Sequence, residues 1–165
     1  ILADAAAIGL VQIANDNAPG QIVVSGTAAA VDASIELAKA AGLRRAIKLP
    51  VSAPFHCDLM MPAANVMASA LAAVTMHDAK MPVYCNVTAA AETAAVNLRA
   101  NLINQVTARV RWRESLLAMQ EAGATLFVEM GTGKVLSGLV KRGLDDAVAV
   151  NLDGPDDLDT VLAAL

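Results

Sequence analysis

Pro50 divides the sequence into two hydrophobic patterns, and any fold for this chain has to accommodate both. Ahead of it, "LVQIANDNAPGQIVVSG" reads as strand, turn, strand. The stretch 15–20 is dense in turn formers, and Ile22, Val23 and Val24 are β-branched. "TAAAVDASIELAKAAG" then offers Thr27 as an N-cap, strong helix formers through Lys39 and Gly42 as a stop, after which "LRRAIKLPV" predicts a return to strand. The order is β-β-α-β. With residues 1–9, opening on a strand, as the remnant of an upstream strand and helix, it predicts a shortened ferredoxin-like small lobe over residues 1–50.

After Pro50, longer helices alternate with single short strands, the pattern of a parallel sheet with covering helices. Helices are expected at about 61–75, 95–106, 112–122 and 134–142, and strands at "PVYCNV", "TLFVEM" and "AVAV". Pro62 suits the first turn of its helix, and Gly123 the end of the one beginning near Trp112. Residues 51–165 therefore predict part of an α/β lobe, with no internal repeat or low-complexity stretch.

A length of 165 residues with 56% hydrophobic side chains suffices for one domain or two small lobes around a real core. The apolar runs are short and alanine-rich, far from the roughly 20 consecutive residues of a membrane span, so no membrane anchor is expected. The opening "ILADAAAIGL" has neither a basic segment nor a cleavage pattern, so no signal peptide is expected, and it lacks an initiating Met, which predicts a fragment, a processed chain or a chain with parts missing. A net charge of −4 and 2% aromatic residues supply neither a field for phosphates nor platforms for bases, so no nucleic-acid partner is expected. Cys57 and Cys85 have no CxxC spacing and no neighbouring His pair, which predicts no disulfide framework, no metal and a reducing cytoplasm.

Two motifs could carry chemistry. In "VSAPFHCDLM", one of only two histidines follows a Pro-Phe pair. His56 there reads either as an imidazole on a packed surface or as a general base awaiting a nucleophile. Cys57 adjoins it, but consecutive side chains on an extended segment diverge, so a Cys-His pair is not expected. His77 lies among polar residues and reads as a solvated histidine. "EMGTGKVLSGL" follows a strand and opens a helix, so Gly131 and Gly133 could bring backbone amides to an anion. It fails as a phosphate loop, because no glycine stands at the required distance before Gly133-Lys134 and Val135 replaces the Ser or Thr; GxGxxG fails at Leu136. A tight strand-to-helix turn is the alternative.

Five segments, "NDNAPGQIVVSG", "LPVSAPFHCDLMMPAA", "PVYCNVTA", "QVTARVRWRESL" and "FVEMGTGKVLSGLVKR", occur in an order that resembles the second half of the malonyl-CoA:acyl carrier protein transacylases, an acyltransferase family. The resemblance runs over nearly the whole chain. It implies an α/β-hydrolase-like large lobe, partial here, with an inserted ferredoxin-like small lobe, in agreement with the change at Pro50. It also implies malonyl transfer from coenzyme A to the phosphopantetheine thiol of acyl carrier protein in fatty-acid synthesis, with the coenzyme A thioester as substrate and no separate cofactor. His56 becomes the base of a Ser-His dyad, oriented by the backbone carbonyl of Gln105; Asp58 is the local rival, and Gln105 as a plain helix residue remains open. None of the six serines lies in the GxSxG elbow that such a nucleophile occupies, and no arginine here matches the one that holds the malonyl carboxylate. Asn17 matches an asparagine near the acyl pocket or is a turn former. Phe55 matches a phenylalanine that crowds out branched acyl groups or simply packs. Thr132 departs from the usual Pro of its turn.

An acidic carrier needs local positive charge on its enzyme. Arg44, Arg45 and Lys48 in "LRRAIK" form the preferred docking cluster, with Lys134, Lys141 and Arg142 as a second; both also read as solvated faces. The competing function is a non-catalytic, acyltransferase-like module that binds a partner.

Overall fold

The computed structural model describes all 165 residues. It opens on a short helix, α1 (Leu2–Ala5), where a strand was expected. Ala5 has no exposed surface and packs with Val11 and Ala30, so burial of small side chains, with no partner strand alongside, sets the local conformation. β1 (Val11–Ala18) and β2 (Gln21–Gly26) form an antiparallel hairpin that turns at Pro19-Gly20. The turn is tighter than expected, because Asn15, Asp16 and Asn17 continue the strand. Asp16 donates its backbone N–H to Val110 O at 2.9 Å, and Val110 donates to Ala14 O at 2.8 Å, so a distant segment satisfies the backbone and overrides the local turn preference. A register irregularity leaves Asn17 between the paired residues Asp16 and Ala18.

α2 (Ala28–Ala40) follows, with Thr27 at the N-cap position; its hydroxyl makes no capping bond. Gly42, at φ 80°, ends the helix and donates to Lys39 O at 2.9 Å. The strand expected over "LRRAIKLPV" is absent. Backbone bonds recorded there are local, such as Leu43 N–H to Ala38 O and Val51 N–H to Leu49 O, and a strand needs a neighbour to ladder with. A 3₁₀ turn (Asp58–Met60) leads into α3 (Met61–Ala72), with Pro62 in its first turn.

Beyond α3 the expected parallel sheet is reduced to one pair. β3 (Val83–Cys85) pairs antiparallel with β4 (Ala90–Glu92), a strand without a sequence signal, and the helices α4 (Ala95–Asn104) and α5 (Trp112–Glu121) follow. β5 (Leu126–Met130) and β6 (Val148–Leu152) pair directly in parallel, connected through α6 (Val135–Gly143), and α7 (Leu158–Ala164) closes the chain. Leu116, Val140, Leu144 and Ala149 form the larger core, with Trp112, Met119 and Phe127 against it. The hairpin is tied to this unit by Asp16, 5% exposed, whose carboxylate accepts from Arg113 Nη2 at 2.8 Å and from Nε at 3.0 Å. No helix is long and apolar enough to cross a membrane.

Candidate active site

His56 sits on the unpaired chain between α2 and α3, in left-handed backbone with φ 60°. That conformation is uncommon for a residue with a Cβ and concentrates at functional sites. Its ring reaches across the chain: Nδ1 lies 2.9 Å from the backbone oxygen of Gln105. Gln105 is the C-cap of α4, so its carbonyl is one of those that the helix leaves without an internal partner. A carbonyl only accepts, so Nδ1 carries the proton and the neutral ring keeps its free lone pair on Nε2.

Supporting residues surround this contact. The Gln105 side chain accepts from Asn86 Nδ2 at 3.0 Å, and the Asn86 carbonyl accepts the backbone N–H of Arg111 at 3.1 Å. Arg111 donates to the carbonyls of Val87 and Thr88 at 3.1 and 3.0 Å and pairs with Glu114. The hydrogen bond from Arg111 holds the Glu114 carboxyl below its ordinary range, with the charges of Arg111, Arg109 and Arg113 acting the same way. These partners left no trace in the sequence, because a side-chain amide contact between positions 86 and 105 has no periodicity.

Cys57 is fully buried and donates its thiol to Pro54 O at 3.1 Å, away from any pairing with His56. Asp58 bonds Gln12. Phe55 is 48% exposed. Asn17 lies on β1, outside the His56–Gln105 network. His77 is exposed. Arg44 and Arg45 are exposed and in no ion pair, whereas Lys48 is paired with Asp32 at 2.8 Å, which offsets its charge. Gln105 also borders a mostly apolar groove of about 340 Å³ between β3 and α4, lined in part by Val83, Tyr84, Leu98 and Leu102. No charged side chain lines it, so it offers no cation to pair with a carboxylate.

The glycine loop before α6 holds an internal anion. Glu129 accepts the backbone N–H groups of Leu136 at 3.0 Å and Ser137 at 2.7 Å, and these bonds keep its carboxyl below the ordinary glutamate range. The helix N-terminus is therefore satisfied from within the chain.

A family model described as the acyl transferase domain matches residues 4–156. The chain is 44% identical over 156 residues to the malonyl CoA-acyl carrier protein transacylase of Bacillus subtilis, a match that covers 94% of this chain and 49% of that protein. The fold superposes on the acyl-carrier-protein-S-malonyltransferase of Bartonella henselae with a TM-score of 0.95 and 42% identity, covering 99% of this chain and 52% of that one. It superposes equally well, at 0.95 and 35% identity over 99% of this chain and 53% of the other, on a malonyl-transacylase solved in complex with a type II PKS acyl-carrier protein. The chain spans about half the length of the curated relatives it matches, and the matching part is their C-terminal half. With the family model spanning most of its length and a mixed α/β fold shared with these enzymes, the chain belongs to the acyl transferase domain family.

Proposed function

We propose that this chain supplies the histidine half of a malonyl-CoA:acyl carrier protein transacylase site. The observation that carries this is the bond from His56 Nδ1 to the Gln105 carbonyl, which leaves Nε2 as the proton acceptor. A serine hydroxyl is a weak nucleophile at neutral pH. As its oxygen attacks the malonyl thioester carbon, Nε2 takes the hydroxyl proton, and the imidazolium returns it to the departing coenzyme A thiolate. The malonyl-serine ester then meets the phosphopantetheine thiol of the carrier. Nε2 takes the thiol proton, sulfur attacks the ester carbon, and the proton passes to the serine oxygen as it leaves. No serine of this chain is set in a GxSxG elbow, so the nucleophile and the arginine for the malonyl carboxylate belong to other residues of the site.

Residues 1–50 act as a shortened ferredoxin-like small lobe and residues 51–165 as the C-terminal part of an α/β-hydrolase-like large lobe. Asn17 and Phe55 border the acyl pocket. Both cysteines are free and buried, in keeping with a reducing cytoplasm. A non-catalytic binding module would have no use for a histidine held in strained backbone with one ring nitrogen already satisfied.

Replacing His56 with Ala in the whole protein lowers malonyl transfer from malonyl-CoA to carrier by about a hundredfold to ten-thousandfold with substrate binding little changed; near-normal turnover refutes the reading. The 165-residue chain alone forms no acyl-enzyme, and intact mass after incubation with malonyl-CoA would expose the error as a stable adduct. Carrier docking uses Arg44 and Arg45, whose charges no carboxylate of the chain offsets. Reversing both to Glu raises KM for the carrier and flattens its salt dependence while KM for malonyl-CoA stays. Unchanged carrier kinetics would remove this surface from the proposal.

A further inference from the structure

The loop that carries His56 is anchored at a point the reaction itself does not touch. Gln12, near the start of β1, donates from Nε2 to Asp58 Oδ2 at 2.8 Å and accepts the Asp58 backbone N–H at Oε1, also at 2.8 Å. One carboxamide thus holds both the side chain and the main chain of the residue two positions after His56. A planar amide that donates and accepts at once fixes orientation as well as distance. Within the loop itself, Cys57 returns its thiol to Pro54.

Left-handed backbone at a residue with a Cβ persists only where the surroundings over-determine it. Three ties are present at His56. The bond to Gln105 is the functional contact, and the Cys57–Pro54 bond moves with the loop. Apart from that functional contact, Gln12–Asp58 is the tie among these three that joins the loop to a rigid element distant in sequence, since β1 is itself laddered to β2 and pinned to α5 through Asp16–Arg113.

We infer that Gln12 is a positioning residue, whose two-point clamp on Asp58 holds the strained loop so that the His56 ring stays on the Gln105 carbonyl. The inference rests on His56 being the base, yet its first test does not. Without the clamp, residue 56 relaxes toward ordinary φ in part of the population, the Nδ1–H bond opens in that fraction, and the ring samples both tautomers.

The test follows the ¹⁵N signals of the His56 ring and turnover in the whole protein. The wild type keeps a persistent Nδ1–H tautomer. Gln12→Glu, which sets carboxylate against carboxylate, gives an averaged ring signal and lowers kcat about tenfold with KM for malonyl-CoA little changed. Adding Asp58→Asn exchanges donor and acceptor, because the carboxamide then at position 58 can donate to the carboxylate at position 12 while the backbone N–H keeps its acceptor, and both readouts return toward wild type. If the acidic variant does not fold, Gln12→Met removes both bonds without adding charge and gives the same averaged signal. A merely structural role would lower thermal stability and leave the tautomer alone. A wild-type ring signal and turnover in Gln12→Glu or Gln12→Met, or failure of the exchanged pair to restore them, overturns the clamp. If the wild type transfers no malonyl group while its ring signal still follows the clamp, the acyl-transfer reading fails and the clamp stands.

Discussion

The loops that lead into α3 and α6 both pass through left-handed backbone, and they do so with opposite chemistry. Before α6 the positive φ values fall on glycines, Gly131 at 130° and Gly133 at 98°, where no Cβ resists them. Before α3 the positive φ falls on His56, and the loop is held by bonds to Gln105, Pro54 and Gln12. The first loop is relaxed and closes on its own carboxylate, Glu129. The second stores strain at the one residue whose ring nitrogen the proposed chemistry needs.

The comparison breaks most sharply at position 56. His56→Gly and His56→Ala should both lower transfer by about a hundredfold to ten-thousandfold, but the glycine variant should be the more stable of the two by about 1 kcal/mol, because the left-handed penalty disappears with the Cβ. Equal unfolding free energies in denaturant titrations would mean that the backbone at 56 is not strained in solution.

The converse change belongs in the other loop. Gly131→Ala forces a Cβ onto φ 130° with nothing else nearby to meet it, so the cost is backbone strain of about 1–3 kcal/mol with no packing term. A thermal midpoint unchanged from wild type would show that this loop shifts freely. At both positions glycine should therefore be the more stable member of the Gly/Ala pair, because each has positive φ.

The smallest expected effect is the acid response of Glu129. Its folded pKa lies below the ordinary 4.5 because α6 amides bind the carboxylate, so its contribution is full above that value and is lost as pH falls through the lower folded pKa. Glu129→Gln should flatten this part of the acid limb of a stability-versus-pH curve. An identical limb in the variant would mean that the cap is no stronger than water at that helix end.

How much of this was legible beforehand differs along the chain. The helices starting near residues 61, 95, 112 and 134 were readable because apolar spacing, Pro62 and Gly123 are local signals. β4 was not, since its three residues, Ala90–Glu92, acquire strand character only by pairing with Val83–Cys85. The turn expected over 15–20 shrank because Val110 pairs with β1. The strand expected over "LRRAIKLPV" failed for the opposite reason: no neighbouring strand is there to complete a ladder.

By itself the sequence singled out candidate residues: a histidine behind Pro-Phe, six serines without an elbow and arginines before Pro50, with Gln105 added only by the family resemblance. The histidine, the serines and the arginines are legible from a residue and its immediate neighbours. Only the tertiary structure decided that His56 turns left-handed, that its proton sits on Nδ1 against the unpaired C-cap carbonyl of α4, and that Gln12 reaches Asp58 across 46 positions. Such contacts depend on hydrogen-bonding groups that folding brings together after the backbone's local needs are met, and nothing in a residue's own neighbourhood encodes which distant partner it will find.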